Sequence, residues 1–157
     1  MASPLRAEKD QRISPACDIA RGVGRLFSAH ALAFLGEVVL ANGRRVDIVG
    51  LSGGGSIWIV EIKSCLLDYR SDHKWRQYRD FCDRLFFAVA PGFPRQALPE
   101  DAGLIIADRY GGDIVRLAPE HRLPPARRRA MTLKLARTAA LRLQSAMDPA
   151  AVLDAEQ

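Results

Sequence analysis

From Ile19 to Phe34 the apolar positions Ile19, Val23, Leu26, Phe27, Ala31 and Phe34 recur at helical spacing, the mark of an amphipathic helix with one buried face. Ser14 and Pro15 start it as a cap and a first-turn proline, and Gly36 marks its end. The period then shortens to two. Glu37 to Ala41 reads as a short strand, Asn42-Gly43 as a hairpin turn, Arg44 to Leu51 as a second strand, and Ser52 to Ser56, with its three glycines, as another turn. Ile57 to Lys63 is a third strand rich in β-branched residues, which completes an antiparallel meander. Ser71 or Asp72 caps a second helix over His73 to Cys82, and Leu85 to Ala90 forms a strand closed by Pro91. A helix between two strands implies a crossover, so the sheet is mixed. Pro91 to Asp101 is loop, and Leu104 to Ala107 and Ile114 to Leu117 are short strands about a Gly111-Gly112 turn. After Pro124-Pro125, Ala126 to Met147 is a long helix with Leu133, Ala136, Ala140, Leu143 and Met147 on one face.

This pattern predicts one α/β domain over residues 15–147, with a flexible N-terminal arm at 1–14 and a flexible C-terminal tail at 148–157. A chain of 157 residues, 48% hydrophobic and 26% charged, suffices for one compact domain and excludes wholesale disorder. Cys17, Cys65 and Cys82 are odd in number and never spaced as CxxC, which argues against a disulfide framework or a structural zinc site. The apolar run Ala29 to Ala41 is broken by Glu37 and is too short to cross a bilayer. The first residues carry charges of both signs with no apolar run behind them, unlike a signal peptide. No membrane association and a cytoplasmic location are therefore expected. Twenty-three Lys and Arg against 18 Asp and Glu leave a net charge of +5, which favours polyanionic partners.

The third strand, IWIVEIK, carries the candidate chemistry. Ile57, Ile59, Glu61 and Lys63 share one face and Trp58, Val60 and Ile62 the other. Both faces begin apolar, so the strand is central, and a carboxylate and an ammonium at its end incur a desolvation cost that a bound metal and phosphate would offset. Asp47 is a similar charge among the apolar residues of RRVDIVG. If the turns align the two strands, Asp47 and Glu61 converge into a hard-oxygen site suited to Mg²⁺, with Mn²⁺ able to substitute and the Ile62 carbonyl as a further ligand. Lys63 would then orient water or stabilise charge on phosphate, a constellation for phosphodiester hydrolysis. The Glu-x-Lys triplet alone recurs by chance, and the same spacing also suits surface ion pairs at strand ends. Glu37, at the start of the first strand, either adds a third carboxylate or points into solvent.

The run RRVDIVG followed by EIK resembles the PD-(D/E)xK nuclease superfamily. Beyond that core, IWIVEIKSCLLDYRSDHKWRQYRDFCDRLFFAVAP, then GLIIADRYGG and the Arg-rich last helix, resemble the MmcB family of bacterial DNA-repair endonucleases over about residues 19–143. The resemblance implies a restriction-endonuclease-like mixed sheet flanked by helices, Asp47, Glu61 and Lys63 as active-site positions, and DNA as substrate. Other repair proteins would be further partners, and the chain would be nucleoid-associated. Val46 stands where the superfamily name has Pro. In related nucleases a Gln or Tyr on the next helix supports the site, which makes Lys74 and Gln77 supporting candidates. Arg127, Arg128, Lys134 and Arg137 lie in a stretch without any acidic residue and are the candidate nucleic-acid contacts. The expected activity is Mg²⁺-dependent endonucleolytic cleavage directed by DNA structure or damage. The rivals are a non-catalytic DNA-binding module on the same fold and an RNA-processing enzyme.

Overall fold

A computed structural model describes residues 14–151. The expected arm and most of the expected tail lie outside them; within them, Pro149–Ala151 is a single 3₁₀ turn. Six strands form one sheet whose spatial order follows the chain: β1 (Ala33–Val39), β2 (Arg45–Leu51), β3 (Ile57–Lys63), β4 (Arg84–Val89), β5 (Gly103–Asp108) and β6 (Gly111–Arg116). The pairs β1–β2, β2–β3 and β5–β6 are antiparallel, whereas β3–β4 and β4–β5 are parallel, so the sheet is mixed as expected. Helix α1 (Pro15–Ala29) covers one face, burying Ile19, Val23 and Phe27 against Ile48, Val60 and Phe86. The other face buries Val49, Ile59 and Phe87 beneath a 3₁₀ segment and the long helix α3 (Pro125–Met147). The result is an α/β fold with helices on both sides of the sheet.

Several boundaries differ from the sequence reading. Helix α1 ends seven residues before Gly36, because Ala31 adopts a left-handed φ of 55°. Leu32 N–H then bonds Phe27 O and Ala31 N–H bonds Ser28 O, the reciprocal pair of a Schellman stop. Phe34 therefore belongs to β1, where its ring meets Phe27 edge-on. The Asn42-Gly43 turn forms as expected, with Gly43 at φ 80° and its N–H on Leu40 O. The chain turns between β5 and β6 at Arg109 and Tyr110, leaving both following glycines inside β6.

Leu66–Ser71, between the third strand and the expected second helix, is a short helix α2, and Trp75–Phe81 is 3₁₀ instead of α-helical. Trp75, Tyr78 and Phe81 are spaced by three, the period of a 3₁₀ helix, and all three are buried. The long helix is turned relative to expectation. It buries Met131 and Leu135, while Leu133, Ala140, Leu143 and Met147 are exposed and Ala136 lines a groove against β1 and β2. Polar anchors set that rotation. Arg128 makes a bidentate pair with Asp83 at 2.6 and 2.7 Å, and Arg142 donates to the carbonyls of Gly36 and Glu37 at 2.5 and 2.8 Å. Asp83 is buried and also accepts the N–H groups of Ile57 and Leu123, which ties β3, the start of β4 and the entry to α3 to one carboxylate.

Candidate functional site

The β2–β3 ladder runs from Leu51↔Ile57 to Ile48↔Val60 and stops there. The next positions in register are Asp47 and Glu61. Their side chains replace the missing ladder bonds: Asp47 Oδ2 accepts Ile62 N–H at 2.7 Å, and Glu61 Oε1 accepts Asp47 N–H at 3.4 Å. Meanwhile β3 stays paired with β4 as far as Lys63↔Val89. The sheet thus opens between β2 and β3 at the point where both carboxylates sit, and a cleft of about 600 Å³ lies over the opening. Cys17 and Ala20 of α1, Glu37, Asp47, Glu61, Ile62, Lys63 and Asp68 line it. The expected convergence of Asp47, Glu61 and Lys63 is present.

Burial sets the electrostatics. Glu61 and Lys63 are each 5% exposed, an environment that favours the neutral form of an isolated carboxyl. Burial, then the charge of Asp47, pushes the Glu61 carboxyl up to about 8; burial also raises Asp47, against the Ile62 hydrogen bond that pulls it down. Burial pulls Lys63 down, but a hydrogen bond from its Nζ to Asp72 Oδ2 at 2.7 Å and the charges of Asp72 and Glu61 outweigh it, leaving its pKa raised. For Asp72 burial raises the pKa, and the Lys63 and Lys74 contacts more than reverse that. The Lys63 ammonium stands 4.0 Å from Glu61 Oε2.

The buried Glu61 and the half-buried Asp47 beside it could together hold a divalent cation, whose charge would favour the ionised form of both. Among the described residues no three His, Cys, Asp or Glu side chains form a metal-binding group. Asp47 and Glu61, with the Ile62 carbonyl, are the groups here that could contribute oxygen ligands to such an ion.

The remaining candidates separate. Glu37 lies on the cleft rim opposite Asp47, its backbone in the left-handed region at φ 51° and its exposed side chain 3.8 Å from Arg45. Lys74 and Gln77 do not line the cleft: Lys74 donates its backbone N–H to Asp72, and Gln77 Oε1 accepts from Arg44 at 2.5 Å. Lys74 thus orients the carboxylate that holds Lys63, whereas Gln77 pairs with Arg44 outside the cleft. Arg128 is likewise not a free cation, since Asp83 and the Gly55 carbonyl occupy its guanidinium. Arg127 donates to Asp80 O and stacks over Phe81. Lys134 and Arg137 have no carboxylate partner among the described residues.

Asp72, expected from the sequence to cap a helix, does accept the Lys74 N–H, but its second oxygen holds Lys63. Tyr78, the Tyr of the 3₁₀ segment after the third strand, is a further neighbour of the site. Burial, with the charges of Glu61, Asp72 and Asp47, raises its hydroxyl to about 12, so it stays neutral beside the site. The signal for Asp72 lies in Lys63 itself: a buried ammonium demands a carboxylate partner, and Asp72 follows it by nine residues.

A family profile described as "DNA repair protein MmcB-like" matches residues 5–150. A solved structure, the SPO1766 protein of unknown function from Silicibacter pomeroyi, is similar with a TM-score of 0.88 and 45% identity, over 92% of this chain and 99% of that one. No curated protein matches.

Proposed function

The chain belongs to the MmcB-like family of DNA repair proteins, and from that premise we propose that it is a Mg²⁺-dependent endonuclease that hydrolyses DNA phosphodiesters during repair. The observation that supports it most is the exchange of hydrogen bonds where the β2–β3 ladder stops, which sets Asp47 and Glu61 side by side at the mouth of a cleft with Lys63 beside them. Charges placed there at the cost of a broken ladder and strong desolvation are hard to explain by stability alone.

Asp47 and Glu61 are the residues that would hold the ion, with Ile62 contributing its carbonyl. Bound there, Mg²⁺ supplies Lewis acidity, lowering the pKa of water and drawing charge from the scissile phosphate; Mn²⁺ substitutes. Lys63 faces the charge that builds on the phosphate, and Asp72 holds that ammonium in place and charged. Contact with the DNA backbone and its shape would govern the choice of substrate.

Nicking of supercoiled plasmid in Mg²⁺ tests the reading. Asp47→Asn and Glu61→Gln should each lower the rate by about 10³-fold or more, a loss of metal-derived transition-state stabilisation. Full metal-dependent activity in either variant would remove the mechanism. Branched, nicked and single-stranded DNA, with RNA counterparts, define the substrate; binding to DNA without metal-dependent cleavage of any of them favours the non-catalytic module.

A further inference from the structure

The cleft over Asp47 and Glu61 has a wall that metal-assisted hydrolysis does not use. Phe34 of β1 lines it together with Ala16 and Ala20 of α1, and is 42% exposed. Its ring is held by packing. It meets the buried Phe27 edge-on at 6.3 Å, and Phe27 in turn meets Trp58 at 6.0 Å. The tip of the Phe34 ring rests on Gly24 of α1, where a Cβ would come within 2.8 Å of Phe34 Cζ. A single exposed aromatic needs no explanation on its own. One that is anchored by packing, left open to solvent and set in the cleft of the candidate metal ligands offers a flat ligand a surface that binding does not have to order.

Position, size and charge indicate which ligand. The β1–β2 register pairs Phe34 with Gly50 and Gly36 with Ile48, which sets Phe34 about 10 Å along the strands from Asp47, within reach of a base attached beside the scissile phosphate. At about 600 Å³ the cleft falls in the range of small-ligand sites, ~300–1,000 Å³, and has room for a nucleotide unit but not for a duplex with both its backbones. Lys63 is the one Lys or Arg in the lining among the described residues, so the cleft offers no row of cations along which a second strand could lie.

In a duplex each base is covered on both faces by its neighbours, whereas an unpaired base has a face free to stack. We propose that Phe34 is a stacking platform for an unpaired base next to the cut, so that the substrate is single-stranded DNA or the single-stranded part of a branched molecule. Cutting there rests on the nuclease reading; stacking does not. Every base presents a π-face, so the platform selects unpaired strands without reading their sequence.

Fluorescence anisotropy of the full chain tests the proposal, in EDTA and again in Ca²⁺, which offsets the charge of the cleft carboxylates. The probes are a short dT strand, an abasic strand of equal length and a blunt duplex. The dT strand should bind at least about fivefold tighter than either of the others. Phe34→Leu, which keeps an apolar side chain without the ring, should lose about fivefold or more on dT and little on the abasic strand, and Phe34→Trp should keep the preference. A misfolded variant loses both strands and is recognised by its circular dichroism spectrum, while the wild-type comparison of dT with the abasic strand needs no variant. Equal affinity of the wild type for those two strands overturns the proposal, as does the absence of binding to dT in either buffer. A folded Phe34→Leu protein that matches the wild type on dT overturns it equally. Cleavage is read separately in Mg²⁺: no cutting of any strand removes the nuclease reading and leaves the stacking site standing, whereas cutting together with equal binding of dT and the abasic strand does the reverse.

Discussion

Glu61 shows at the scale of one residue what the site demands of the fold. Its carboxyl is raised from 4.5 to about 8, by burial first and by Asp47 second, so the folded protein holds a proton that the unfolded chain releases over that interval. Folding is therefore progressively opposed as pH rises from 4.5 through about 8, and the opposition is absent at lower pH. Glu61→Gln cannot ionise. In metal-free buffer its melting temperature should match that of the wild type near pH 4.5 and exceed it by a growing margin toward pH 8.5, as followed by circular dichroism. Saturating Mg²⁺ at pH 8 should then raise the melting temperature of the wild type and leave that of Glu61→Gln unchanged, because only the carboxylate can exchange its proton for the ion. Equal pH profiles for the two proteins would mean that Glu61 ionises freely and is not pressed against Asp47.

Ala31 and Asp83 decide where elements begin and end. Ala31 carries the left-handed residue of the α1 stop without glycine's freedom, so Ala31→Gly should stabilise the protein by about 0.5–1 kcal/mol in urea unfolding. Asp83 holds four hydrogen bonds and is pulled down to about 2 by Arg128 and two backbone N–H groups, against the opposing effect of burial. Its contribution is complete above the unfolded value of 3.8 and is lost as pH falls through about 2. Asp83→Asn should cost about 3 kcal/mol at pH 7, and the difference from wild type should narrow in acid. These residues also explain which elements are legible in the sequence. The meander, the parallel strand after it and the Asp47–Glu61–Lys63 convergence follow from period-two patterning and the hairpin glycine, which act locally. The end of α1 is hidden because alanine sits where glycine usually signals a stop. The rotation of α3 is hidden because Arg128 and Arg142 anchor it to Asp83 and to backbone carbonyls, so a count of apolar residues selects the wrong face. Asp72 is hidden because its pairing with Lys63 depends on where the segment after α2 folds back.

At the scale of the whole molecule, the net charge of +5 overstates what is offered to a polyanion. Of the cations on α3, Arg128 is held by Asp83, Arg142 by the carbonyls of β1, and Arg127 by Asp80 and Phe81. Lys134 keeps its charge available beside Ala41 and Asn42 of the first hairpin, and Arg137 is exposed. If DNA lies along this flank, Lys134→Ala/Arg137→Ala should weaken binding to every sequence alike and reduce the slope of log K against log salt by about two, near one for each phosphate no longer neutralised. Arg128→Ala should instead lower the melting temperature and leave the slope unchanged. Fluorescence anisotropy across a salt series distinguishes the two classes. The reverse pattern, with the slope following Arg128 and indifferent to Lys134 and Arg137, would place the DNA on another face and show that the buried ion pair opens to bind it.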